Sequence, residues 1–180
     1  MRVGVFTPLL SNLSLKDVLK RLKQHNINTI ELATGNYPGD AHCKLSMLED
    51  TSALQEFKDT IGGEGFSISA LSCHGNPLHP NPQLARHDQD VNERTILLAE
   101  RLDVPVVVDF SGCPGDSPEA KHANWVTCPW PPEFLEVLKW QWEEIATPYW
   151  IKRAKFASDH GVKIAIEMTL GFWSTTRRRC

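Results

Sequence analysis

Phe66-Ser-Ile-Ser-Ala-Leu-Ser-Cys-His-Gly-Asn-Pro-Leu-His-Pro80 changes character half-way along its length. It opens as a strand, with Phe66, Ile68, Ala70 and Leu71 apolar and small residues between them. It breaks at His74-Gly75-Asn76-Pro77, where Gly and Pro end regular pairing. A buried strand running into a polar loop with two histidines and an Asn is how α/β barrels present reacting groups at a shared mouth. The same residues could equally make a turn with solvated histidines. Two other strand ends in the chain, however, carry similar polar sets.

On the N-terminal side, Arg2 to Thr7 reads as a first strand closed by Pro8. Ser14 is a helix N-cap with Asp17 in the first turn, and Leu15, Val18, Leu19 and Leu22 follow the 3.6-residue period to an end near His25-Asn26. Asn28 to Leu32 is a second strand, in which Glu31 interrupts an apolar run; a site carboxylate and an edge residue are equally good readings. The connection from Ala33 to Leu45, holding Tyr37 and His42, is long for a strand-to-helix loop, and long loops in compact domains tend to be functional. Glu49 to Ile61 is helical and stops at Gly62-Gly63.

On the C-terminal side, Asp88 to Leu102 reads as a helix and Val104 to Phe110 as a fourth strand. Its uniformly apolar Val106-Val107-Val108 is expected of a strand covered on both faces. Ser117 to Pro132 is a Trp- and Pro-rich inserted loop without a period. Glu133 to Asp159 is helical in pattern with a break expected at Pro148, and Lys163 to Met168 is a fifth strand ending in Glu167. Five β-α alternations predict parallel strands with helical crossovers, as an open doubly wound sheet or as part of a (β/α)8 barrel. No G-x-G-x-x-G follows a strand and no P-loop pattern occurs. Polar residues at every strand end favour the barrel.

At 180 residues, with 41% apolar and 23% charged, the chain has the length and composition of one globular domain. A net charge of -3 gives no electrostatic case for nucleic acid or an anionic membrane. No apolar run approaches the roughly 20 residues of a membrane helix, and no signal peptide is read at the start. Five scattered cysteines without a C-x-x-C pair indicate neither a disulfide framework nor a structural zinc site, so a cytoplasmic location is the default expectation.

A carboxylate at the end of an apolar strand needs a partner, and a divalent metal is a common one. Glu167 fits this best, and His74 and Glu31 would share its mouth if the barrel closes. Carboxylates with imidazole and no thiolate cluster suit Mg, Mn, Co or Zn, which can polarise a carbonyl while a carboxylate moves a proton.

Gly-Val-Phe-Thr-Pro-Leu-Leu (4–10), Tyr-Pro-Gly-Asp-Ala-His-Cys (37–43), Ser-Cys-His-Gly-Asn-Pro-Leu-His-Pro (72–80), Phe-Ser-Gly-Cys-Pro-Gly-Asp (110–116), Asn-Trp-Val-Thr-Cys-Pro-Trp-Pro-Pro (124–132) and Lys-Ile-Ala-Ile-Glu-Met (163–168) resemble the sugar phosphate isomerase/epimerase family. These are xylose-isomerase-like TIM barrels, relatives of the type IV AP endonucleases. The resemblance implies a partial (β/α)8 TIM barrel of five parallel βα units, with the last three missing. It implies metal-dependent isomerisation or epimerisation of a sugar or sugar phosphate, with Glu167 as metal ligand and acid/base. His74 lines the substrate site by the same transfer, and His42, Glu31 and Asn76 follow as pocket residues. Asp109 stands where the family pattern leads one to expect an uncharged residue. The expected partner is a small-molecule sugar or sugar phosphate, not nucleic acid or membrane, with homo-oligomerisation open. A non-catalytic remnant or binding module of the same fold is the alternative, and cleavage at abasic DNA is disfavoured by the charge.

After Glu167 the family typically continues Met-His-Pro-Gly-Phe, whereas this chain reads Met168-Thr-Leu-Gly-Phe-Trp-Ser-Thr-Thr-Arg-Arg-Arg-Cys180. With one synonymous coding and a single C inserted after the Met168 codon, the neighbouring frame reads Met-His-Pro-Gly-Phe-Leu-Val-Tyr-Asn-Thr-Glu-Thr-Leu. Residues 1–168 are therefore expected to be the N-terminal part of the barrel and 169–180 a frameshifted tail; a basic tail binding anions through Arg177 to Arg179 is the other reading. Without strands six to eight and their ligands, the chain alone is expected to be inactive or to need a complementing chain. Sequencing the DNA across codon 168 decides the matter.

Overall fold

The computed structural model describes residues 3–128 and 130–168; the expected tail, 169–180, lies outside them. Five strands, β1 (Val5–Phe6), β2 (Thr29–Ala33), β3 (Ser67–Ser72), β4 (Val106–Phe110) and β5 (Lys163–Glu167), form one parallel sheet in sequence order. Helices α1 (Leu15–Lys23), α2 (Thr51–Gly63) and α3 (Pro82–Arg101) make the first three crossovers. The fourth is made by α4 (Glu133–Trp140) and α5 (Thr147–Asp159). The parallel sheet and sequential order are those of a partial (β/α)8 barrel.

Local signals set most helix starts. Ser14 accepts the Asp17 backbone N–H at 3.2 Å and caps α1. Asp50 caps α2 by accepting from the N–H groups of Ser52 and Ala53. α3 begins at Pro82, six residues before the expected Asp88, because Asn81 caps it and Pro82 fills the first position, where a missing N–H costs nothing. Pro148 does not break the helical run either. It falls in the first turn of α5, and a wide π turn, Gln141–Ala146, joins α4 to α5 just ahead of it. The first strand keeps only two residues, since Thr7-Pro8 turns directly into a 3-10 turn, Thr7–Leu10.

Pairing fixes which side chains share a face. Glu31 pairs with Ala70, Ser72 with Val108 and Phe110 with Glu167. Laterally paired residues point the same way and strand neighbours point opposite ways. Ile30, Leu32, Leu71 and Val107 thus face the helices, where Val18, Leu19, Leu54, Phe57 and Ile96 bury against them. Each such side chain contributes roughly 1.5–3 kcal/mol by leaving water. Glu31, Ser72, Phe110 and Glu167 face the opposite, inner side. A smaller apolar cluster of Leu78, Val126, Leu138 and Ala146 anchors the inserted loop beneath α4 and α5. Among the described residues no helix is long and apolar enough to cross a membrane.

Candidate functional site

The C-terminal ends of the strands converge on His74. Its ring lies between Phe6 at 5.8 Å and Phe110 at 4.5 Å, aromatic walls from β1 and β4. His74 is buried, yet its Nε2–H donates to Glu167 Oε2 at 2.8 Å, and the Glu167 side chain is 49% exposed. An imidazole held on two sides by rings can turn little, so its N–H fixes one carboxylate oxygen while the rest of that group faces solvent. Glu31 joins the same face and accepts from the Ser72 hydroxyl.

His42 and Asn76 sit differently. His42 is buried, and its Nε2–H donates to the Leu13 carbonyl at 3.0 Å, tying the loop after β2 to the start of α1. Asn76 fastens one strand-end loop to another: its Nδ2 donates to the Cys113 carbonyl, while its Oδ1 accepts from the N–H groups of Leu78 and Cys113. Both hold the rim together with groups turned inward. Gly75 lies against this rim so closely that a Cβ would meet Asn36 Nδ2 at 2.6 Å.

Asp109, at the end of β4, lies on the helix-facing side. It is fully buried and accepts from Gly75 N–H at 3.1 Å, Phe110 N–H at 2.7 Å and Asn92 Nδ2 at 2.8 Å. Burial pushes its carboxyl up to about 7, only partly opposed by these donors. Burial likewise raises the neighbouring Cys73 thiol well above its ordinary value. A carboxyl stands where an uncharged residue is expected, and burial favours its neutral form.

Sequence reading missed Phe6, Phe110 and Ser72 as neighbours of the candidate groups, and the role of Asp109. A signal for Asp109 was available: strand alternation puts it on the side of Val107, among helices, where a lone carboxyl needs donors. Ring partners 68 and 36 residues away along the chain leave no such local pattern.

The profile of the xylose isomerase-like TIM barrel matches residues 19–179. The chain belongs to this family. Protein YfiH of Bacillus subtilis (strain 168), described as uncharacterized, is 35% identical over 171 residues, covering 93% of this chain and 54% of YfiH. Among solved structures, a D-tagatose 3-epimerase-like protein superposes with a TM-score of 0.57 at 20% identity, over 92% of this chain and 52% of its own. The IolI protein with a bound zinc atom superposes at 0.60 with 17% identity, over 92% and 51%. This chain thus spans about half the length of these three proteins.

A divalent metal in such a fold needs several converging ligands. Among the described residues no three His, Cys, Asp or Glu side chains converge on one point. Four to six donors are the rule for these ions, so the described residues do not make a complete metal site.

Proposed function

We propose that this chain supplies the first strand-end portion of a site that isomerises or epimerises a sugar or sugar phosphate by moving a proton next to a carbonyl. The observation that carries the reading is the half-exposed Glu167 carboxylate held by the buried His74 at 2.8 Å. His74 fixes Oε2, so Oε1 stays open to accept a proton from a carbon beside a carbonyl and, in the isomerisation, to return it to the former carbonyl carbon as the hydroxyl proton passes to the former carbonyl oxygen. Phe6 and Phe110 shut water away from the imidazole, and Glu31 adds a second carboxylate to the mouth. His42 and Asn76 serve by holding the surrounding loops. In the complete family member a divalent ion (Mn, Mg, Co or Zn) belongs to this proposal, and Glu167 is the ligand these residues would contribute. The likeness to a D-tagatose 3-epimerase-like protein and to zinc-bound IolI supports the substrate class and the ion.

Deuterium wash-in tests it: ketohexoses and their phosphates are incubated with the chain in D2O, with and without Mn2+, and followed by proton NMR. Exchange beside the carbonyl that Glu167→Gln lowers at least a hundredfold supports the reading. A second reading, a non-catalytic remnant or binding module of the same fold, rests on the incomplete ligand set among the described residues. Saturation transfer to sugar protons without any exchange would establish it instead.

A further inference from the structure

The buried carboxyl of Asp109 has no place in the proton transfer, yet both its backbone partners border the imidazole. Gly75, whose N–H it accepts at 3.1 Å, directly follows His74; Phe110, whose N–H it accepts at 2.7 Å, carries the ring packed at a tilt 4.5 Å from His74. One oxygen, Oδ1, therefore ties the end of β3 to the end of β4. The other, Oδ2, is held by Asn92 of α3. Loop and wall are thus tied to each other by one side chain behind the sheet. We propose that Asp109 is a positioning residue that sets the His74 imidazole against Glu167 by holding the Gly75 and Phe110 backbones.

The assignment deepens the proposed function and rests on it for any effect on turnover. Its test uses no turnover, so the two can fail separately. The readout is the His74 Nε2–H resonance in the 15N-histidine-labelled 180-residue chain, assigned by its loss in His74→Phe, with its rate of exchange with water. Asp109→Asn keeps an oxygen for Gly75 and Phe110. Its new amide meets Asn92, whose own Oδ1 is buried without a hydrogen-bond partner and can turn to accept it. Asp109→Leu with Asn92→Leu replaces both buried partners by apolar groups, preserving the contact between β4 and α3 while removing the acceptor.

Asp109→Asn is expected to leave the exchange rate within threefold of the parent, and the double variant to raise it at least tenfold while core amides stay protected. An unchanged rate in the folded double variant, or an equal rise in both variants, overturns the proposal. Should the double variant not fold, pH titration of the parent decides. The Gly75 and Phe110 N–H shifts must then share an inflection near pH 7 that Asp109→Asn lacks; its absence, or its persistence in that variant, overturns the proposal. Cys73 just after β3, Tyr37 from the loop after β2 and Tyr149 from α5 also face Asp109, and each is held above its ordinary value, hence protonated in that range. Asp88, which accepts the Asn76 N–H, and Arg153, beside Tyr149, are the nearby charged groups on α3 and α5.

Discussion

Asp109 ends β4 on the helix side, and Glu167 ends β5 on the mouth side. The two carboxyls stand one register step apart, since Phe110 pairs with Glu167 and Asp109 with Ile166. Pleat alternation alone sends them to opposite faces. There one is fully buried behind three donors and the other half exposed with one. Burial raises the first to about 7, whereas the second stays in contact with solvent and with an imidazole. The same functional group thus becomes a rivet in one place and a candidate reagent in the other, and facing, not residue type, decides which.

The sharpest way to break this contrast is to remove each carboxyl. Asp109→Ala leaves three buried donors without an acceptor, and at 1–3 kcal/mol for such groups the expected loss is about 3–5 kcal/mol by urea denaturation. A loss below about 1 kcal/mol would mean that Asp109 is no rivet.

Next in size is the pH dependence. The folded Asp109 carboxyl sits at about 7 against an ordinary 3.8, so between those values the folded chain binds more protons than the unfolded one. Stability from this group is therefore greatest at low pH, falls as pH rises from about 4 to 7, and is flat above. Asp109→Asn removes the effect, so its stability relative to the parent should rise by ~3 kcal/mol across that window. Paired unfolding curves at pH 4.5, 6 and 7.5 measure it, and parallel curves would place the native carboxyl outside this range.

The architecture was largely legible in the sequence for reasons that the contrast explains. Hydrophobic period, caps and Gly-Pro breaks act within a few residues, so β2, β3, β4, β5 and α1 were found close to where they lie. Signals that compete over the same few residues were misjudged. At Asn81-Pro82 a cap and a first-turn proline extended α3 backwards, and at Pro148 the preceding π turn kept the helix running. In the site, Glu167 and His74 could be named from strand ends, but the distance between them comes from pairings across the sheet. The tasks of Asn76 and His42 depend on which carbonyls lie opposite, and no spacing along the chain encodes that. Asp109 was legible as a face and not as a partner set.

A smaller effect belongs to the second mouth carboxylate. Ser72→Ala removes the hydroxyl that Glu31 accepts from. Glu31 is only partly buried and can turn to water, so the expected cost is about 1 kcal/mol by denaturation. A cost of 3 kcal/mol or more would make Glu31 a second rivet and blur the distinction between the faces.

The smallest stability change should come from Glu167 itself. Glu167→Gln keeps an oxygen in place to accept the His74 Nε2–H and exchanges a half-exposed charged group for a neutral one of the same shape. Exposed substitutions of this kind stay within about 0.5 kcal/mol. The fold should therefore not register the change, and the His74 resonance should persist with an altered shift. The proton abstraction proposed for Glu167, by contrast, needs the carboxylate and should disappear. A stability loss near that of Asp109→Ala would show that Glu167 also holds the strands together, and the division of labour between the two ends would fail. A silent fold with a silenced exchange reaction would place binding energy behind the sheet and chemistry in front of it.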